Sequence, residues 1–283
     1  ITVGAIVGAD IYVASAITAS MLGPASLIAW VVAGGLATII ALTLAECARQ
    51  ARLHLDIRFS GSVDAIRALN EGRCEMAGFH VRIAPARGSL TQRTYKPLLR
   101  PGRHKLIGFA RRRQGLIVAR GNPLGLQTLP ELADKGARFV NRALGTGTRV
   151  LFDELLAEAG LAPERIRGYA DVEPSHAAVA RAIATGRADA GFGIEAGARA
   201  LGLDFVPLAE EQYFLACLKS SLAQPATRAL LELLRGAAWQ DRLSALPGYT
   251  PMRSGEVLAM NRELPWWRFR PRAAGHAPGA ETG

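Results

Sequence analysis

Charge is almost missing from the first part of this sequence, and cysteine and histidine are scarce along all 283 residues. Up to Ala45 the only charged side chain is Asp10. The three cysteines, Cys47, Cys74 and Cys217, form no C-x-x-C pair. That spacing offers neither a thiolate metal site nor a disulfide framework, so reduced thiols are expected. The five histidines are scattered and no H-E-x-x-H occurs, which excludes the usual zinc-hydrolase helix. There is no G-x-S-x-G elbow for a serine hydrolase. Gly145 and Gly147 are not followed by the lysine of a P-loop, and no third glycine completes a dinucleotide fingerprint. Without a catalytic constellation, the chain reads as a binder and not an enzyme.

What is present falls into two unlike parts. Two apolar runs flank "LGPAS" (22–26). Each is roughly 20 residues long, enough to cross a hydrocarbon core of about 30 Å as a helix. Residues 1–50 are therefore expected to form a hydrophobic helical hairpin, with a secretory signal or a buried helical pair as the alternatives. From about Leu53 short β-like runs alternate with amphipathic helices, the pattern of a mostly parallel α/β sheet. The end, 268–283, is rich in Gly, Pro, Ala and Arg and is expected to be disordered. The net charge of +10 favours anionic partners. The basic run from Arg82 to Arg113 lacks a helix-turn-helix or interleaved aromatics, so it reads as a solvated face and direct nucleic-acid binding is not expected.

Three segments share one design: a strand, small hydroxyl residues with glycine or proline, then a helix. "FVNRALGTGTRVLFDELLAEAGL" (139–161) offers Thr146, Gly147, Thr148 and Arg149 at its helix start. "FSGSVDAI" (59–66) offers Ser60, Gly61 and Ser62, and "EPSHAAVARAI" (173–183) offers Ser175. A helix N-terminus presents unpaired N–H groups and partial positive charge, so an anion is a natural guest. The competing reading is plain N-capping by Ser60 or Ser62, Thr146 and Ser175. Tyr213 lies in a late strand, Arg149 faces either an anion or solvent, and Glu195 and His176 fit a cleft wall or a surface.

Two resemblances organise these observations. Residues 4–15, "GAIVGADIYVAS", and 23–48 resemble the first two transmembrane helices of the amino acid–polyamine–organocation permeases, with Asp10 at the family's helix break. This implies a membrane hairpin, and Arg49 and Arg52 just after it would place the following domain on the cytoplasmic side of an inner membrane; a cytoplasmic protein is the alternative. The stretches 56–81, 95–123, 139–156, 175–216 and 248–267 resemble, in order, the molybdate-binding-like domain of the type II periplasmic-binding-protein fold. That resemblance implies two lobes, roughly 53–114 plus 213–262 and 120–208, within residues 51–267. It also implies closure on a small oxyanion, most simply molybdate or tungstate, and places Tyr213 near the ligand. The family's opening strand and helix are missing at the expected place, so a sheet lacking its first strand is expected. No cofactor beyond the ligand is implied. A separate DNA-binding or transport partner would read the bound state. The alternatives are a small-organic-ligand effector domain of a transcriptional regulator and a fragment of an amino-acid transporter.

Overall fold

In the computed structural model of the chain, which describes residues 2–7 and 54–267, Thr2–Val7 is a strand, β1. It lies between β2 (His54–Phe59) and β3 (Met76–Arg82) and runs parallel to both. Thr2 stands level with His54, Val7 with Phe59 and Ala5 with Met76. The expected absence of a first strand is thereby corrected, because the apolar N-terminus supplies it. Thr2–Val7 is also not the beginning of a membrane helix, since its backbone is committed to a sheet ladder. The remainder of the expected hairpin, with Asp10, and the tail 268–283 lie outside the described residues. Among the described residues no helix is long and apolar enough to cross a membrane.

The chain then builds α1 (Ser62–Asn70), α2 (Leu90–Tyr95) and the long β4 (His104–Val118). A second set follows: α3 (Leu129–Asp134), β5 (Phe139–Arg142), α4 (Gly147–Glu158), β6 (Val172–Glu173), α5 (His176–Ala184), β7 (Ala190–Ile194) and α6 (Glu195–Arg199). The equally long β8 (Asp204–Leu218) returns to the first set. There α7 (Pro225–Arg235), α8 (Ala237–Ser244), β9 (Tyr249–Pro251), β10 (Val257–Leu258) and α9 (Met260–Glu263) complete it. The strand order is β2-β1-β3-β8-β4-β7-β5-β6, with β9 and β10 also on β4.

β4 and β8 run antiparallel through both lobes and make the crossing between them. Near His104 β4 serves the β1–β3 lobe; from Gln114 to Val118 it pairs with β7 in the other. The register shifts between Gln114 and Gly115, where a Cβ on Gly115 would sit 1.9 Å from the Val206 carbonyl oxygen. Only glycine lets the two backbones approach so closely at that bend.

Each lobe is a sheet covered on both faces, as parallel strands require. In lobe I, Leu230, Leu234, Trp239 and Leu243 pack on one face and Ile66, Leu69, Phe79 and Tyr95 on the other. In lobe II, Phe152 stacks on Phe139 at 4.7 Å between ring centroids, while Val179 and Ile183 cover the opposite face. Each such buried side chain contributes about 1.5–3 kcal/mol. These cores hold the helix starts rigidly against the crossing strands.

Candidate functional site

The crossing strands carry a buried polar cluster. Along β4, Arg111 and Arg113 are exposed and Arg112 is buried, as the two-residue period of a strand dictates. Arg112 stands opposite Glu211 of β8 and donates from Nε to Oε2 at 3.0 Å. His80 of β3 bonds the other carboxylate oxygen through Nδ1 at 2.6 Å, and Gln114 donates from Nε2 to Oε2. One buried carboxylate of β8 thus gathers three side chains from two other strands, β3 and β4. Burial opposes ionisation of Glu211, but His80, Arg112 and Gln114 outweigh it and pull the carboxyl down to about 2. Burial and the Arg112 charge lower the pKa of His80. Tyr213 lies under Arg112, with the guanidinium 5.4 Å from its ring centre, and stacks on His80.

Lobe II brings the start of α4 against this cluster. A Cβ on Gly147 would meet His80 Nε2 at 2.5 Å and the Tyr95 hydroxyl at 2.9 Å, so glycine is what allows the contact. Thr148 Oγ1 lies 3.3 Å from His176 Nε2. Arg142, at the end of β5, is buried; desolvation lowers its pKa to about 10, and it donates to the Pro174 carbonyl at 3.1 Å. His176 is held well below its ordinary pKa by burial, then by Arg142, Arg112 and His80, which places these groups in one neighbourhood. From lobe I, Ser62 at the start of α1 sits beside Tyr95, whose phenol burial keeps protonated.

Three side-chain atoms here are buried with no hydrogen-bond partner, Arg112 Nη2, Gln114 Oε1 and His176 Nδ1, and beside them the Ser62 and Tyr95 hydroxyls face each other. Leaving one such group unpaired costs about 1–3 kcal/mol, so a concentration of them marks a place built for a polar guest. Among the described residues, Arg112, Arg142 and Glu211 leave one net positive charge. The lobes also touch beyond the cluster. Buried Glu154 of α4 accepts from Thr91 N at 2.9 Å and Thr91 Oγ1 at 2.7 Å, and Arg82 pairs with Glu158. The cleft is closed.

Of the residues read from sequence, the structure brings Ser62, Gly147, Thr148 and Tyr213 to this cluster, with Gly61 as the backbone cap of α1. No side chain caps that helix, so Ser60 and Ser62 are not N-caps; Ser60 Oγ lies 3.3 Å from the Gly61 carbonyl. Three other candidates are engaged elsewhere in lobe II. The Thr146 hydroxyl accepts from Arg149 N and donates to the Ala143 carbonyl, so it is spent as a helix cap. Ser175 likewise caps α5, accepting from Ala178 N at 3.0 Å. Arg149 is tied within lobe II to Asp153, to the Arg142 carbonyl and over the Tyr169 ring. Glu195 pairs with Arg113 at 2.7 Å, whereas His176 does line the cleft. Sequence reading missed His80, Tyr95, Arg112, Gln114, Arg142 and Glu211. Strand alternation through Arg111–Gln114 was the one signal that could have found Arg112 and Gln114. Among the described residues no group of acidic, histidine or cysteine side chains could hold a metal ion.

A sheet in two lobes, joined by crossing strands and closed over a polar cluster, defines a ligand-binding domain of the periplasmic-binding-protein kind. The chain belongs to the PBP superfamily domain family, which matches residues 44–235. β1 lies outside that span. YvgK of Bacillus subtilis (strain 168), a protein of uncharacterised function, is 32% identical over 201 residues, covering 71% of this chain. The chain spans 64% of the length of that relative. Among solved structures, a protein assigned as a phosphate ABC transporter substrate-binding protein of Clostridium perfringens, with phosphate bound, aligns with TM-score 0.59 at 11% identity. That alignment covers 89% of this chain and 100% of the other. The effector-binding domain of QuiR in complex with shikimate aligns with TM-score 0.54 at 13% identity, over 87% of this chain and 98% of that one. At such identities these likenesses speak for the fold.

Proposed function

We propose that this chain is a non-enzymatic binder of a small oxyanion, held between the lobes and signalling by their closure. The observation that carries the proposal is the set of buried unpartnered polar atoms around Arg112, with Arg142 of β5 leaving the cluster one net positive charge. An arginine fork with a free Nη2 suits a carboxylate or an oxyanion, because its donors lie in one plane. Ser62, Tyr95 and the first turn of α4 add neutral donors from both lobes, so a guest would bias the domain toward the closed state. A separate regulatory or transport component reading that state fits a binder without catalytic groups. Which anion is the finer question. The sequence resemblance points to molybdate or tungstate, and the effector-domain neighbour extends the choice to a small organic acid.

Calorimetric titration with molybdate, tungstate, sulfate, phosphate and shikimate tests the proposal. The whole chain must be used, because a fragment starting near residue 51 would lack the central strand β1. Binding of at least one anion is expected, weakened about tenfold or more by Arg112→Met. Absence of binding by every anion in the panel overturns it.

A further inference from the structure

Helix α2 of lobe I and helix α4 of lobe II meet at two places. At one, the Tyr95 hydroxyl lies beside Gly147; at the other, Thr91 meets Glu154. Thr91 and Tyr95 are four residues apart, and Gly147 and Glu154 seven, so each pair lies on one face of its helix. At 1.5 Å per residue the second contact is about 10 Å further along α4 than the first, away from the polar cluster. There Glu154 Oε2 accepts from Thr91 N at 2.9 Å and from Thr91 Oγ1 at 2.7 Å. Its other oxygen lies 3.7 Å from Arg82 Nη1 of β3, and the same guanidinium pairs with Glu158 one turn on. Glu154 and Thr91 are both buried. A buried carboxylate needs donors in place of its water, and among the described residues those of Glu154 all come from the opposite lobe. Opening the cleft would remove them together and return the carboxylate to water.

We infer that Glu154 is a positioning residue that latches the lobes together: its carboxylate, held by Thr91 and Arg82, favours closure whatever occupies the cleft. Apparent affinity scales with the fraction of molecules in the competent state, so a latch of this kind strengthens binding without touching the guest. It raises the affinity for every guest by one common factor and adds nothing to selectivity, which stays with the cluster. Closure by Glu154 stands whether or not the guest is an anion; only its effect on affinity rests on the anion reading of the cleft.

Small-angle scattering on the whole chain, without added ligand, tests the latch directly. Glu154→Ala should have a larger radius of gyration than the wild type at unchanged circular dichroism. Glu154→Gln, which keeps an acceptor for both Thr91 donors, should recover most of the compaction. Thr91→Val removes one donor at similar volume and should expand the protein less, which keeps the test open should Glu154→Ala fold poorly. Calorimetry with molybdate, tungstate, sulfate, phosphate and shikimate then reads affinity. Glu154→Ala should weaken every anion that the wild type binds by the same factor, about threefold to tenfold, and leave their ranking unchanged. A radius unchanged in both Glu154→Ala and Thr91→Val, or a Gln variant as expanded as the Ala variant, overturns the inference. So does weakening confined to one anion, which would place Glu154 among the guest's own contacts. No binding by any anion removes the reading of the cleft, and the scattering alone then decides the latch.

Discussion

At the scale of single residues, Glu211 decides most. A carboxylate buried with Arg112, His80 and Gln114 is costly to desolvate and is retained because each partner is hydrogen-bonded to it. Its folded pKa, about 2, lies below its ordinary 4.5. The contribution is therefore complete above pH 4.5 and is lost as pH falls from 4.5 toward 2, because the unfolded chain takes up the proton first. His80 and His176 act with the same sign at higher pH. Both are held below 6.5, so they stay neutral in the fold and cost stability once pH drops beneath 6.5. Urea midpoints should decline in two stages on acidification. Glu211→Gln should flatten the lower stage, and Glu211→Ala should cost about 3–5 kcal/mol at neutral pH by stranding the Arg112 charge. A wild-type midpoint that is level from pH 4.5 to 2 would contradict this account of the cluster.

At the scale of elements, β1 is the piece whose removal matters most. It pairs β2 along its whole length and meets β3 at Ala5 and Ile6, so it stands inside the lobe I sheet and not at an edge. Deleting it would leave two strand edges without partners and open the lobe core between α1 and α7. Domain stability of about 5–15 kcal/mol does not cover such a loss. With β1 in place, amide exchange in Met76–Arg82 should be as slow as in Phe139–Arg142. Removing residues 1–7 should accelerate exchange in β2, β3 and α1 while β5 and β7 of lobe II stay protected. Uniform protection after the deletion would show that the lobe stands without this strand.

At the scale of the whole molecule, the proposed function requires closure, and at Gly147 lobe II meets His80 of the cluster. A methyl at that position would lie 2.4 Å from His80 Cε1, and the ring cannot retreat while Glu211 holds it. Gly147→Ala should therefore fold with nearly unchanged stability but hold the lobes apart. Because a ligand's apparent affinity falls with the population of the competent state, binding should weaken about tenfold or more. Small-angle scattering should show a larger radius of gyration in saturating ligand than for the wild type. Unchanged compaction and affinity would mean that the helix slides without opening the cleft.

Local chemistry determined what was legible in the sequence. Strand–helix alternation after Leu53 predicted the α/β class, and the small residues at 60–62, 145–148 and 174–175 marked three helix starts, because caps and turns depend on neighbours in the chain. The same local logic identified Thr146 and Ser175 as caps at least as readily as ligands, and caps they are. TVGAIV was not decidable alone: a short β-branched apolar run suits a strand or a membrane helix until the open edges of β2 and β3 are there to receive it. The cluster was further out of reach. His80 and Glu211 lie 131 positions apart, and an arginine in a basic run looks solvated until a facing strand buries it against a carboxylate. Only the crossing of β4 and β8 brings those charges together, because electrostatic partnership acts through space and burial and not along the chain.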